Sequence, residues 1–176
     1  MKCENVIWVH TPNSDELINS LKIGDKISLS GAMYCGRDAV LPKLVDSIEN
    51  GDADKYPFDF EGMAILLTAV SVAGIAPTTS NTAEIESSIP VLSQAGVKFH
   101  KGKGSLSEDT KISMDKYNSI FIITPPVAAL LTSSIKSRKC VAYEKEGMEA
   151  FYELEVEDIP GIVAIAHGKS IYDWFF

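Results

Sequence analysis

Apolar positions along this chain fall into short blocks, separated by polar segments whose spacing suits helices. Short blocks rich in Val, Ile and Leu are typical of buried strands. Strands are predicted at residues 6–10, 26–30, 63–70, 97–100, 119–124, 141–143, 149–157 and 162–166. Strand and helix alternate through the middle, which favours an α/β fold with a partly parallel sheet, and the strand-rich ends favour a second sheet layer.

Helix starts are indicated by capping residues and prolines. Asp38 and Ser107 can cap helices that end near residues 50 and 116, and Pro126 suits the first turn of a helix ending near residue 134. Asn81 and Glu84 have the spacing of a capping box, but residue 90 of that helix is a proline. A kink, or a later start near residue 87 or 88, is therefore expected.

The composition is that of a folded domain. The chain has 176 residues, of which 45% are hydrophobic and 23% are charged, and this length fits one domain, 1–176, with residues 1–20 as an N-terminal lead-in. The longest apolar run, residues 63–70, is far below the roughly 20 residues that a membrane helix needs. The first ten residues lack the pattern of a secretory signal. We therefore expect a cytoplasmic protein without membrane contact.

The charge balance and the metal-binding residue types exclude two further classes. The net charge is −8, and no basic run of the kind that binds nucleic acid is visible, so no nucleic-acid partner is expected. Cys3, Cys35 and Cys140 form no CxxC pair, and the three histidines are equally scattered. The chain therefore has no obvious zinc or iron–sulfur cradle, and Cys140 is expected to be buried and inert.

Three segments have the chemistry to bind an anion. Arg37 ends an expected irregular loop at residues 31–37, and a guanidinium binds a carboxylate through two parallel hydrogen bonds. Hydroxyl and N–H groups of residues 76–81 could hold an oxyanion at a helix start. Residues 101–105, KGKGS, form a basic glycine loop without the full phosphate-loop pattern. An ion pair with Asp38, helix capping and a flexible turn are the ordinary interpretations of these segments.

Acidic and apolar residues alternate at residues 149–158. Closely spaced carboxylates could bind a metal. Alternation with a period of two, however, is typical of a half-buried strand, so a solvated strand face is the favoured interpretation.

Taken in order, these segments resemble a known family. They are LKIGDKISLSG, a loop ending in Arg37 and Asp38, the Pro-Thr-Thr motif at residues 77–79, a Lys-Gly pair at residues 101–102, and GMEAFYELEVEDIP. This order resembles the β subunit of the two-subunit iron–sulfur hydro-lyases, which are the class I fumarate hydratases and the L(+)-tartrate dehydratases. It also resembles the C-terminal domain of single-chain class I fumarases. The likeness covers about residues 17–176.

The resemblance implies a fold, a reaction and a partner. The fold would be a three-layer β/β/α swivelling-type domain with a mixed sheet. The reaction would be the reversible dehydration of a small 2-hydroxy dicarboxylate, of the fumarate/malate or tartrate type, active only with an α subunit. That iron–sulfur α subunit would hold a four-iron four-sulfur cluster, with no metal bound by this chain alone. The assembly would be a hetero-oligomer, and the isolated chain could form a dimer.

Four residues match the family's site by their place in its motifs. Arg37 matches the substrate-binding arginine of the Arg-Asp motif. Thr78 matches the threonine proposed as the catalytic base, and Thr79 matches its neighbour in the substrate pocket. Lys101 matches the catalytic lysine near the substrate, whose positive charge could lower the pKa of a hydroxyl group.

The chain departs from the family pattern at four places. Ala76 stands where a Gly usually precedes Pro-Thr-Thr, Thr82 stands where relatives carry an Arg, and Leu41 stands where a His is common. Residues 125 and 126 are prolines in place of a Gly-Gly pair. The missing Arg would weaken the binding of a dicarboxylate by about 1.5–3 kcal/mol, because one charge-assisted hydrogen bond is lost.

Two other functions stay open at this level. The first is a non-catalytic paralogue that acts as a binding or assembly module, which Thr82 and Leu41 favour. The second is a stand-alone anion-binding α/β domain, which rests on the basic glycine loop and the helix start at Asn81. A neighbouring gene for an iron–sulfur α chain would favour the hydro-lyase over the stand-alone domain.

Overall fold

The computed structural model describes residues 5–52, 55–71, 74–75, 85–125 and 127–174. The strands in these ranges are β1 (Val6–Thr11), β2 (Lys26–Gly36), β3 (Ala64–Leu67), β4 (Val70–Ser71), β5 (Gly74–Ile75), β6 (Phe99–Gly102), β7 (Ile120–Ile123), β8 (Ile135–Ala142), β9 (Phe151–Ala166) and β10 (Lys169–Ser170). The α-helices are α1 (Asp15–Ser20), α2 (Leu41–Glu49), α3 (Ile89–Gln94), α4 (Glu108–Lys116) and α5 (Ala128–Ser133). Short 3₁₀ helices cover Glu144–Glu149 and Ile171–Trp174.

The main sheet closes on itself. β2, β3, β6 and β7 are parallel neighbours in that order, and β9 runs antiparallel to both β7 and β2, so these five strands form a ring. β1 adds to β2 in parallel, and β8 and β10 add antiparallel to β9. β4 and β5 form a separate two-stranded ribbon.

Two hydrophobic cores divide the molecule into layers. The inner core lies against the ring face that carries Leu66 and Ile122, and it also includes Ile18 of α1 and Leu131 of α5. The outer core lies between the outer face of the ring and the helices α2, α3 and α4, which contribute Leu44, Leu92 and Met114. This confirms the α/β fold with a mixed sheet that the sequence predicts.

The structure corrects several strand boundaries. β2 does not become irregular at Gly31 but continues to Gly36, because β9 pairs with it on both sides of a register shift at Leu29 and Gly31. The two strands expected at residues 149–157 and 162–166 are one strand of 16 residues, β9, which passes through Pro160. Pairing with β9 likewise makes β8 longer than the expected segment at residues 141–143. Long-range partners, rather than local pattern, set these lengths.

The helix starts agree with the sequence at two of the described positions. α3 begins after Ser88 with its proline in the first turn, as the position of that proline predicts. Ser107 caps α4, and its hydroxyl accepts a hydrogen bond from the Thr110 N–H at 3.4 Å. The expected start at Asp38 is wrong: α2 begins at Leu41, because the Asp38 carboxylate bonds to a neighbouring arginine instead.

Two helix signals, Asn81 with Glu84 and Pro126, lie outside the described residues. Within the described ranges, no helix is long and apolar enough to cross a membrane.

Candidate functional site

The carboxyl ends of the parallel strands form one edge of the ring. In the strand register, Cys35 of β2 lies beside Leu66 of β3, which lies beside Lys101 of β6. Arg37 follows directly after the last residue of β2. Strands in a sheet lie about 4.8 Å apart, so the two-strand step from β2 to β6 spans about 10 Å. The register therefore places the backbones of Arg37 and Lys101 at the same edge of the ring.

Lys101 is a buried cation without a counter-charge. It belongs to β6 and not to a loop, because the strand runs from residue 99 to residue 102 and includes the first two residues of KGKGS. Its side chain is 0% exposed, and its Nζ has no hydrogen-bond partner among the described residues. Burial lowers the pKa of the Lys101 amine to about 7. The amine therefore exchanges its proton much closer to neutral pH than an ordinary lysine does.

The described surroundings of the Lys101 amine do not satisfy its hydrogen-bonding capacity. Lys101 lies beside Leu66 and Ile122 in the sheet register. On β9, the bare α-carbon of Gly161 faces the amine: a Cβ atom placed there would lie 3.2 Å from Nζ and 3.4 Å from the Ile123 carbonyl oxygen. Because Nζ has no hydrogen-bond partner among the described residues, an anionic ligand that reached it would relieve a large desolvation penalty.

Arg37 is the opposite kind of cation. Its Nε donates to the Asp38 carboxylate at 2.5 Å and lies 3.1 Å from the Glu149 carboxylate. Its side chain is 26% exposed. The hydrogen bond with Asp38 raises the pKa of Arg37 and lowers the pKa of Asp38. Both ion pairs use Nε, and no contact of the two terminal guanidinium nitrogens with another described residue is seen.

Glu149 reaches Arg37 from a distant part of the chain. It ends the 3₁₀ helix Glu144–Glu149, in which Gly147 has φ +60°. A left-handed residue at this point turns the chain toward β9, and glycine adopts that conformation without strain. The Gly-Met-Glu-Ala motif therefore folds so that its glutamate meets the Arg-Asp motif, a contact that sequence reasoning missed.

Thr78 and Thr79 lie outside the described residues, as does Thr82. The chain leaves the described part after β5, whose Ile75 N–H donates to the Thr132 hydroxyl of α5 at 3.2 Å. The proposed threonines follow this anchored strand by three and four residues. Leu41, one of the departures from the family pattern that the sequence suggested, is fully buried in the outer core.

Two buried threonines at this edge escaped the sequence analysis. Thr68 follows β3, and its carbonyl accepts a weak hydrogen bond from the Cys35 thiol at 3.2 Å. Thr124 follows β7, and its hydroxyl donates to the Pro160 carbonyl at 2.9 Å. The only sequence signal for either is a threonine directly after a buried apolar run.

His100 points to the other face of β6, into the outer core. Its Nε2 is 2.8 Å from the Ser93 hydroxyl, while Nδ1 has no partner among the described residues. Burial lowers the pKa of His100 to about 3, so the ring is neutral. Adjacent residues on one strand thus carry a neutral imidazole on one face and the Lys101 amine on the other.

The described residues do not form a metal cradle. No group of three or more His, Cys, Asp or Glu side chains suited to a metal occurs among them. Burial raises the pKa of Cys35 to about 12, so its thiol stays protonated. Cys140 is only partly buried, which corrects the expectation of a fully buried thiol. On β9, Glu155 and Glu157 are exposed, as the interpretation of a solvated strand face predicts.

An apolar cleft of about 630 Å³ lies beside this site. It is lined by residues of β1, β2, β7 and β9, and Gly161 contributes to both the cleft and the Lys101 pocket. At its rim, Val6 is 42% and Trp8 is 70% exposed. Large exposed apolar side chains around a cleft often mark a contact with another molecule.

The geometry defines an α/β domain with two cations of different kinds at the carboxyl edge of its parallel strands. Comparison with known proteins adds the family. A family model described as "Fumarase C-terminus" matches residues 2–175. The chain therefore belongs to the fumarase C-terminus family.

Curated relatives of two sizes are similar to this chain. The aerobic class I fumarate hydratase of Escherichia coli (strain K12) is 28% identical over 156 residues, which are 84% of this chain and 28% of that protein. Fumarate hydratase 2 of Leishmania major is 26% identical over 164 residues, which are 88% of this chain and 28% of that protein. The chain thus spans little more than a quarter of these fumarate hydratases.

The third relative is of similar size to this chain. A protein of Methanocaldococcus jannaschii named "Putative L(+)-tartrate dehydratase subunit beta" is 31% identical over 173 residues, which are 89% of this chain and 86% of that protein.

Proposed function

We propose that this chain is the β subunit of a heteromeric iron–sulfur hydro-lyase that reversibly dehydrates a small 2-hydroxy dicarboxylate, of the fumarate/malate or tartrate type. Relatives named as fumarate hydratases and as a tartrate dehydratase subunit support the reaction class. The match to 86% of a protein named a β subunit supports a separate partner chain. Residues 1–176 would form one domain, in the cytoplasm.

The buried, unpaired Lys101 amine carries this proposal. Removing a proton from carbon next to a carboxylate builds negative charge on that carboxylate, and a cation held in a dry site stabilises the charge strongly. A cation already paired with a protein carboxylate would contribute much less. Lys101 has no such partner among the described residues, and it lies at the same edge as Arg37.

The residues of this chain then divide the work. Arg37 binds one substrate carboxylate through its terminal nitrogens, and Lys101 stabilises the charge that develops during proton removal. Thr78 accepts the proton, and Thr79 contacts the substrate beside it. A threonine is a weak base, so its action depends on a nearby cation that stabilises the alkoxide, which Lys101 can supply.

The cluster is assigned to the partner. The described residues of this chain do not fit an iron–sulfur cluster, because the Cys35 thiol is buried and protonated and no suitable donor group occurs with it. We therefore derive no step through the cluster. This chain supplies the cations and the proton acceptor, and the α subunit supplies the iron.

The apolar cleft beside Trp8 is a suitable contact for that α subunit. It borders the Lys101 pocket at Gly161, so a chain seated there would close the site from outside. A Trp8→Asp substitution should abolish co-purification with the α subunit. Ile112→Asp is the matched control, since Ile112 is 59% exposed on α4 in the helical layer and should leave the complex intact.

The decisive experiment is co-expression of this chain with a candidate α subunit, anaerobic reconstitution of the cluster, and a screen of hydroxy dicarboxylates for dehydration. We expect activity in the complex and none in the separate chains. Lys101→Met should remove the activity of the complex. Lys139→Met, which removes an exposed lysine of β8, is the control for the general effect of losing one positive charge. A fully assembled complex that converts no hydroxy acid would favour the non-catalytic paralogue instead.

Thr82 bears on the choice of substrate. Relatives carry an arginine there, so we expect the far carboxylate to be held weakly or by the partner. Thr82→Arg should then raise kcat/KM for fumarate in the complex. An efficient wild-type complex that Thr82→Arg does not improve would show that the departure is compensated.

A further inference from the structure

Gly161 interrupts the side chains of β9 at the point where the strand passes Lys101. Its φ is not in the left-handed region, unlike that of nine other glycines of the described chain, so its backbone does not require glycine. It pairs with Ile27 of β2 in an ordinary antiparallel register. Glycine within a strand is unfavourable unless something approaches the backbone closely.

Three groups approach the place of a Gly161 side chain. A Cβ atom built there would lie 2.4 Å from the Ile122 Cγ2, 3.2 Å from the Lys101 Nζ and 3.4 Å from the Ile123 carbonyl oxygen. The first distance is a collision, and the second is tighter than an ordinary van der Waals contact. The missing side chain is therefore space that a methyl group of β7 and the amine of β6 already use.

The backbone at this point is held in place from both sides. The Thr124 hydroxyl at the end of β7 donates to the Pro160 carbonyl at 2.9 Å. Ile123 pairs with Ile162, and Ile27 pairs with Gly161. The strand cannot easily retreat from Lys101, so the size of residue 161 decides where the amine lies.

We propose that Gly161 is a positioning residue for Lys101: its missing side chain leaves the space that the amine occupies, and a methyl group there displaces the amine from the edge of the site. This inference rests on the proposed function for its catalytic consequence, but its structural part does not. The lowered pKa of Lys101 supports it, since it reflects the same apolar packing.

Among the described residues, the register neighbours of Lys101 and the glycine that faces its amine carry no ionised group at neutral pH. Leu66 of β3, Ile122 of β7 and Gly161 of β9 carry no charge. Across the sheet from Lys101 and Leu66, the residue of β2 in register is Cys35. Burial raises the pKa of its thiol to about 12, so the thiol stays neutral in the pH range of the experiment. A change in the Lys101 titration therefore reports a change in its surroundings.

The test measures the Lys101 pKa by NMR on the isolated chain with ¹³C-labelled lysine, using Lys101→Arg to assign the signal. Gly161→Ala alone could unfold the chain through the collision with Ile122. The double variant Gly161→Ala/Ile122→Leu removes the Cγ2 branch and is compared with Ile122→Leu. Gly102→Ala is the control for crowding a strand glycine, because successive residues of a strand point to opposite faces and its Cβ would meet Phe121 and Leu67 of the outer core.

We expect the pKa of Lys101 in the double variant to fall by about half a unit or more below that of Ile122→Leu, about a threefold change in the ratio of protonated to neutral amine. The Gly102→Ala control should keep the wild-type value. If the pKa of Lys101 is the same in the double variant and in Ile122→Leu, the proposal is overturned.

The catalytic arm uses the complex with the α subunit. The double variant should lower kcat about tenfold or more relative to Ile122→Leu and change KM little, since Arg37 still binds the carboxylate. If the pKa of Lys101 shifts but kcat does not change, Gly161 has no effect on the reaction and the proposal is overturned. If the wild-type complex has no activity at all, the proposed function fails, while the lysine titration still decides whether Gly161 positions Lys101.

Discussion

Arg37 and Lys101 stand at the same edge of one sheet, yet the protein treats their charges in opposite ways. Arg37 is partly exposed and is shared between two carboxylates, Asp38 and Glu149. Lys101 is fully buried, and among the described residues nothing accepts its protons. A cation shared between carboxylates keeps its charge at all times. An isolated buried cation is costly to the fold, and its charge becomes favourable only when an anion arrives.

This difference suggests two tasks. Arg37 suits binding, because its charge and planar fork are always present. Lys101 suits the stabilisation of charge that appears only during the reaction, because its environment is dry and fixed before the substrate binds. Substitutions at Lys101, Arg37 and Glu149 test this division of tasks.

Lys101→Met in the active complex should lower kcat about 10³-fold, because one preorganised donor to a developing charge is lost from a dry site. KM should change much less. Steady-state kinetics of the complex measure both constants. A variant that keeps even a tenth of the wild-type kcat would break the contrast by showing that Lys101 is not needed for the chemical step.

The same substitution should make the protein more stable at neutral and acidic pH. The pKa of Lys101 is about 7 in the folded protein, below the ordinary value of about 10.4 in the unfolded chain. Below pH 7 both states bind the proton, so the folded state bears the whole cost of the buried charge. Between pH 7 and about 10.4 only the unfolded state binds it, so wild-type stability rises with pH by up to about 1.4 kcal/mol per unit.

Urea unfolding at pH 6, 7.5 and 9 should therefore show that Lys101→Met is more stable than the wild type by on the order of a few kcal/mol at pH 6. This difference in the free energy of unfolding should shrink as the pH rises. Lys139→Met, on the exposed face of β8, should show no such trend. A constant difference across this range would mean that Lys101 keeps an ordinary pKa and is paired in the folded protein.

Arg37→Lys should lower kcat/KM about 10- to 100-fold, mostly through KM, because an ammonium cannot form two parallel hydrogen bonds to one carboxylate. Steady-state kinetics on the preferred hydroxy acid provide the measurement. An effect on kcat alone would reverse the roles assigned to the two cations.

Glu149→Gln should have the smallest effect. It removes one of the two carboxylates that compete for Arg37, and the pair is exposed enough that about 0.2–1 kcal/mol is at stake. We expect KM to fall about two- to fivefold with kcat unchanged, and the difference to shrink at high salt. A rise in KM would instead show that Glu149 holds Arg37 in its binding position.

Local signals along the chain predict the alternation of strands and helices, the late start of α3 and the cap of α4. These features depend on neighbours a few residues apart: a proline two residues after Ser88, and a hydroxyl three residues before the amide it caps. The order of short motifs was also enough for the family, because motif order survives where overall identity is low. Arg37 and Lys101 were singled out in the same way, as basic residues that follow buried strands.

The burial and pairing of those two cations depend on the tertiary structure. Lys101 was expected in a basic glycine loop, but the pairing of β6 with β3 and β7 makes it part of a strand. Its neighbours there, Leu66 and Ile122, belong to the inner core. Its isolation depends on Gly161, 60 positions later, and the pairing of Arg37 depends on Glu149, 112 positions later. Local pattern fixes which face of an element is apolar. It does not fix which distant residue fills or leaves the space opposite, and that space sets the charge on Lys101.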